Sequence, residues 1–89
     1  MHEFSLISNL MRKIESIARE QRAKKVVGVK VKLGALSHIS ADHFCEHFVR
    51  AAGGTCAEGA RLDAEVLTDE GDPQAQEIIL ESVDVEVDP

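Results

Sequence analysis

Tryptophan and tyrosine are absent from this chain, phenylalanine occurs three times, and cysteine and proline twice each. With so few rings, which otherwise carry the largest buried areas, the core must be built from aliphatic side chains. Cys45 and Cys56 stand alone rather than as a closely spaced pair; in a reducing compartment such thiols act as small hydrophobes, and a disulfide is not expected. No apolar run approaches the roughly 20 residues of a membrane span, and Glu3 ahead of an amphipathic pattern does not read as a secretory signal. No membrane association and a cytoplasmic location are therefore expected. Basic residues are the minority, 10 against 16 acidic ones, for a net charge of −6. That balance disfavours nucleic-acid phosphates and anionic lipid and leaves cations and basic protein surfaces as partners. There is no Gly-rich phosphate loop and no grouped nucleophile, base and orienting acid, so enzymatic activity is not expected.

What is present suffices for one core. Eighty-nine residues, 44% of them hydrophobic, suit a single globular domain spanning residues 1–89. From Phe4 to about Arg22, Ile7, Leu10, Met11, Ile14, Ile17 and Ala18 recur at spacings of three and four and predict an amphipathic helix. Arg12, Lys13, Glu15, Arg19, Glu20 and Arg22 fall on its solvated face, where Glu15 and Arg19 are spaced for an ion pair. Val27, Val29, Val31 and Leu33 then alternate with Gly28, Lys30 and Lys32, the period of a strand with one face in the core, and Gly34 ends it. Ser40 stands in a helix-start position ahead of Ala41 to Ala52, with Ala41, Phe44, Cys45, Phe48, Val49 and Ala52 as the stripe and Gly53-Gly54 as the stop.

Leu62, Ala64 and Val66 alternate with Arg61, Asp63 and Glu65 in a second strand, and a third runs from about Glu77 to Val87. In the third, Ile78 and Leu80 share one parity and Val83, Val85 and Val87 the other, which predicts a bulge near Glu81-Ser82. The intervening TDEGDPQAQ, Thr68 to Gln76, reads as a turn joining the last two strands in an antiparallel hairpin. A strand, a crossover helix and a second strand favour a right-handed parallel connection. The expected fold is thus α+β: a mixed three-stranded sheet with two helices on one face, in the order α-β-α-β-β. Lys30, Lys32, Arg61, Asp63, Glu65, Asp84 and Glu86 would occupy the other, solvated face, with the lysines pairing to acids across the sheet.

Chemistry concentrates at the beginning of the chain. Met1-His2-Glu3 places an imidazole one peptide bond from the amino terminus. A free amine, deprotonated backbone amides and the His2 ring nitrogen make a compact nitrogen donor set that suits square-planar nickel(II) or copper(II) better than tetrahedral zinc. The plainer reading is a solvated His at position 2. A second grouping is ADHFCEH, in which His43 and His47, four apart, fall on one helix face; a second metal site and a merely solvated polar face both account for them. His38, in the loop after Gly34, and Asp42 are candidate additional ligands if the two helices pack side by side.

MHEFSL at the start, VKVKLGALSHIS at the end of the first strand, and GGTCAEGARLDAEV together resemble the HypA/HybF nickel-incorporation proteins. Those proteins begin MHE, carry G-x-L-S after the first strand, and continue with G-T-x-A-E-G-A-x-L. The closing EIILESVDVEV is similar to their last strand, so the resemblance covers nearly the whole chain in order. It implies a nickel metallochaperone-like accessory protein for nickel-iron hydrogenase maturation, partnered by a HypB-type GTPase and the hydrogenase large subunit. It assigns Ni(II) to the His2 side chain and the backbone nitrogens of Met1, His2 and Glu3. The family's zinc module, with two C-x-x-C pairs, sits between the last two strands, where this chain has only TDEGDPQAQ; Cys45 and Cys56 match none of its ligands. Neither a zinc module nor structural zinc is expected.

The alternative function is a protein-interaction adaptor that has lost metal delivery together with the zinc module. A third reading is self-association as a homodimer through an exposed edge strand, which the charges of Asp84, Glu86 and Asp88 oppose. The lack of grouped thiolates predicts zinc well below one equivalent in elemental analysis of tag-free protein; one equivalent would overturn that expectation.

Overall fold

The structure is a computed structural model that describes the backbone of residues 2–87 and the side chains of residues 6–87. Helix α1 (His2–Glu20) is followed by strand β1 (Lys25–Leu33), helix α2 (Ala41–Ala52), strand β2 (Arg61–Val66) and strand β3 (Ile78–Glu86). This is the expected α-β-α-β-β order, with β1 and β2 parallel and β1 and β3 antiparallel.

The last two strands do not form the expected hairpin. The sheet order is β2-β1-β3, so β3 crosses over and pairs with β1 instead of β2. Burial explains the choice. Val26, Val31 and Leu33 of β1 are fully excluded from water, whereas β2 alternates between half-buried and exposed residues. The most apolar strand is best covered at the centre, where both of its edges are hydrogen-bonded and neighbours flank it on either side.

Two irregularities set which residues face inward. Lys30 is opposite Ser82 and Val31 opposite Leu80, leaving Glu81 as the extra residue of the expected bulge. Glu81 thereby meets both Lys30 and Lys32 at 3.7 Å, the cross-strand pairing expected of the lysines. On β1, Val26 is opposite Val85 and Gly28 opposite Asp84, so Val27 is extra. This second bulge corrects the simple alternation: Val26 enters the core and Val27 is half-buried. Beside it, the Arg61–Asp84 ion pair, 3.6 Å long, spans the central strand at Gly28, where a Cβ would lie 3.1 Å from each partner.

Ile7, Leu10, Met11, Ile14 and Ala18 of α1 join Phe44, Phe48 and Ala52 of α2 and the inward residues of β1 in one cluster, so both helices serve the same core. Four expectations fail at its rim. Val49 is 69% exposed, because it lies about 100° around the helix from Phe48, beyond the stripe. Val66, at the end of its edge strand, and Val87, just past the end of β3, are each 50% exposed. Glu15 and Arg19 form no ion pair; holding two long side chains near the surface in one geometry costs what the contact would return. Cys45 and Cys56 are half-buried free thiols.

The segment between β2 and β3 is more than a turn. Asp69 Oδ1 accepts from Gly71 N and Asp72 Oδ1 from Gln74 N, which stiffens it, and Ala75 is buried. Gly34 N donates to Glu77 O and Leu36 N to Ala75 O, clamping this loop over the end of β1. A Cβ on Gly34 would lie 2.2 Å from the Ala75 carbonyl oxygen and 2.8 Å from that of Gln74. At Gly53, by contrast, a Cβ meets nothing nearer than 3.5 Å and φ is −58°. Gly34→Ala is therefore expected to destabilise the fold by about 2 kcal/mol or more, and Gly53→Ala to be neutral or stabilising by up to about 1 kcal/mol. Urea denaturation of both variants checks the contrast.

Candidate functional site

Connectivity decides which end of the molecule carries chemistry. The short turn Gln21 to Lys24 joins α1 to β1, so α1 runs antiparallel to that strand. Helix α2 is the crossover between parallel β1 and β2, so it too runs against β1. The two helices are consequently parallel, and both begin at the end of the sheet where β1 finishes. The loop after Gly34 and the loop between β2 and β3 meet at this same end, joined by the Gly34–Glu77 and Leu36–Ala75 hydrogen bonds.

The predicted ligands distribute over this end as follows. Met1 lies outside the described residues; His2 and Glu3 open α1, and their side chains lie outside the described set. His38 is exposed in the loop after β1, with φ of 59°. That left-handed conformation is uncommon for a residue with a Cβ, although His is among the types enriched there. Asp42 is exposed in the first turn of α2, where its charge favours the positive end of the helix dipole. Topology thus places His38 and Asp42 at the end where α1 begins. Among the described residues, no three His, Cys, Asp or Glu side chains come together as a metal-holding group.

Ser40 fixes the start of α2. Its extended backbone, with φ −77° and ψ 157°, lets its Oγ accept from His43 N at 3.1 Å while its carbonyl accepts from Phe44 N. The expected helix start is confirmed. One turn on, His43 and His47 stack with ring centroids 4.6 Å apart and planes 11° apart, their Nε2 atoms separated by 2.8 Å.

The GGTCAEG segment lies at the opposite end, after α2, and serves the backbone. Thr55 Oγ1 donates to Ala52 O and accepts from Ala57 N; Glu58 Oε1 accepts from Gly54 N at 2.7 Å. Gly54 and Gly59 both have φ of +79°, a turn geometry that suits glycine and matches the structural reading of Gly59. Sequence reasoning missed the cleft between the helices, about 590 Å³, lined among others by Ile7, Met11, Arg12, His47, Arg50 and Ala51. Its only signal in the sequence is that Met11 and Ala51 sit at the margins of their stripes, beside Arg12 and Arg50.

A family model described as hydrogenase/urease nickel incorporation, metallochaperone, hypA matches residues 1–72. A hydrogenase maturation factor HypA from Methylocella silvestris is 40% identical over 73 residues, covering 80% of this chain and 63% of that protein. Its counterpart from Aquifex aeolicus is 41% identical over 66 residues, covering 74% of this chain and 57% of the relative. The chain therefore spans less than two thirds of the length of these curated relatives. The solution structure of the Ni metallochaperone HypA from Helicobacter pylori superposes with a TM-score of 0.80 at 21% identity, covering 99% of this chain and 100% of that one, which establishes a shared fold. The sequence match ends at residue 72, inside the loop before β3, whereas the fold likeness extends across β3.

Removing the Ser40 hydroxyl tests how the start of α2 is held. Ser40→Ala is expected to cost about 1 kcal/mol of global stability and to speed amide exchange at His43, while leaving the α1 core unchanged. Denaturation together with hydrogen exchange measures both; unaltered exchange at His43 would show that the cap does not hold this turn.

Proposed function

Because the chain belongs to the HypA family, we propose that it is a nickel-handling accessory protein for nickel-iron hydrogenase maturation, carrying Ni(II) as cargo at its first three residues. The observation that carries the reading is a family match beginning at residue 1, which places Met1, His2 and Glu3 inside the matched region. The donor set adds chemical support: the terminal amine, the backbone nitrogens of His2 and Glu3 and the His2 imidazole make closely spaced five- and six-membered chelate rings. Such nitrogen sets favour square-planar nickel(II) or copper(II). His38 and Asp42, at the same end of the molecule, are the additional ligands this reading considers.

The partners in this reading are a HypB-type GTPase, which would be coupled to nickel release, and the hydrogenase large subunit that receives the ion. A chain carrying net charge −6 favours basic surfaces on both. No structural zinc belongs to the proposal, since the loop between β2 and β3 contains no cysteine. The alternative reading is a protein-binding adaptor that carries no nickel.

Calorimetric titration of tag-free protein with nickel separates the readings. His2→Ala is expected to weaken nickel binding about tenfold or more, the loss of one nitrogen ligand at roughly 1.4 kcal/mol or above. Residues added ahead of Met1 are expected to weaken it too, because the free amine is displaced from the chelate. Unchanged affinity in both variants would reject the terminal site. No measurable nickel uptake by the parent, alongside nickel-indifferent partner binding, would establish the adaptor.

A further inference from the structure

His43 and His47 lie off the face of α2 that meets the core. The stripe of α2 that faces the core is Phe44, Phe48 and Ala52; His43 is exposed and His47 half-buried at the edge of the cleft against α1. Yet their rings lie stacked, with Nε2 facing Nε2 at 2.8 Å. At that distance one imidazole donates its Nε2 proton to the Nε2 lone pair of the other, which brings the two nitrogens together above the helix surface.

The spacing has a chemical meaning. With metal–nitrogen bonds of about 2.0 Å, two cis ligands at a right angle have nitrogens about 2.8 Å apart, while two tetrahedral ligands are separated by about 3.3 Å. The observed 2.8 Å corresponds to the cis edge of a square-planar or octahedral ion. The rings are nearly parallel, so their lone pairs must turn toward each other to share an ion. A small rotation about the Cβ–ring bond accomplishes this, because that torsion is broad and soft. Spacing four residues apart on a stable helix pre-pays most of the ordering that chelation requires.

We propose that His43 and His47 form a second ion-binding point on this protein, a two-imidazole site for a divalent transition-metal ion. Each ring binds through Nε2; the ring that had donated its Nε2 proton takes the tautomer that carries it on Nδ1, so the pair takes up the ion with no net change in protons. Asp42 and Glu46 add negative charge on the same helix, and Arg12 and Arg50 across and along the cleft oppose it, which makes the site moderate in affinity and exchangeable. Because α1 and α2 run parallel and begin at the same end, the pair lies one turn into α2, on the half of the molecule where α1 starts. Naming nickel as its occupant rests on the terminal-site reading; the two-nitrogen geometry does not. In that setting the pair is an accessory station for the same cargo.

The test uses the tag-free 89-residue protein in four forms: the parent, His2→Ala, His43→Ala/His47→Ala, and all three substitutions together. Nickel chloride titration by equilibrium dialysis counts sites, and the nickel-dependent rise in thermal midpoint reports binding to the folded state. Both histidines lie off the core stripe, so the metal-free midpoints should agree within a few degrees. The expected result is two classes of site in the parent, loss of the weaker class in His43→Ala/His47→Ala, retention of that class and of its midpoint rise in His2→Ala, and neither in the triple variant. If His43→Ala/His47→Ala binds the same number of nickel equivalents with the same isotherm as the parent, the accessory site is overturned. If His2→Ala matches the parent while the double variant loses all uptake, the terminal reading fails and the two-imidazole site stands.

Discussion

Burial of β1 between two neighbours and beneath two helices is the constraint from which the rest of the molecule follows. Val26, Val29, Val31 and Leu33 contribute side chains whose transfer from water is each worth roughly 1.5–3 kcal/mol. A chain with three phenylalanines and no larger ring has few other sources of comparable stabilisation. Phe44 and Phe48, both buried, are spent on the same cluster from the α2 side. Placing β1 at an edge would leave half its backbone groups to solvent and uncover part of that apolar face.

The orientation of everything else derives from that strand. A short turn at its beginning and a crossover helix at its end force α1 and α2 to run parallel, so two helix starts and two loops share one end of the sheet. At that end Gly34 has no side chain, which allows the backbone around Ala75 to close over the strand. The loop between β2 and β3 acts as a lid on the hydrophobic layer, and its Asp69 and Asp72 side chains turn the chain locally where no sheet partner is available. At the opposite end, Thr55, Glu58, Gly54 and Gly59 return the chain from α2 to β2 with their polar groups satisfied internally. A stretch that resembles a family motif therefore has a structural explanation in its own hydrogen bonds.

Membership of the HypA family rests on residues 1–72, and the architecture common to the Helicobacter pylori structure extends beyond them. Strand β3 shows why the two extents differ. It is recruited by backbone pairing to β1 and by apolar positions such as Leu80, Val83 and Val85, requirements that many sequences meet.

Local periodicity settled much of this protein in advance. The α2 bounds, the Ser40 cap, the strand Arg61 to Val66 and the bulge at Glu81 were all legible, because each depends on neighbours within a few residues: a 3.6-residue stripe, a side chain reaching three residues ahead, a parity change along a strand. Met1-His2-Glu3 is a candidate donor set on covalent spacing alone, and its side chains lie outside the described residues. What only the tertiary structure decided was which strand sits between the others, that Val26 instead of Val27 enters the core, that Gly34 must admit Ala75, and how close the His43 and His47 nitrogens come. Each depends on contacts between segments distant in sequence or on the rotamers that packing selects. A pattern along one element reports which face is apolar; competition among elements for the most buried place determines what that face meets.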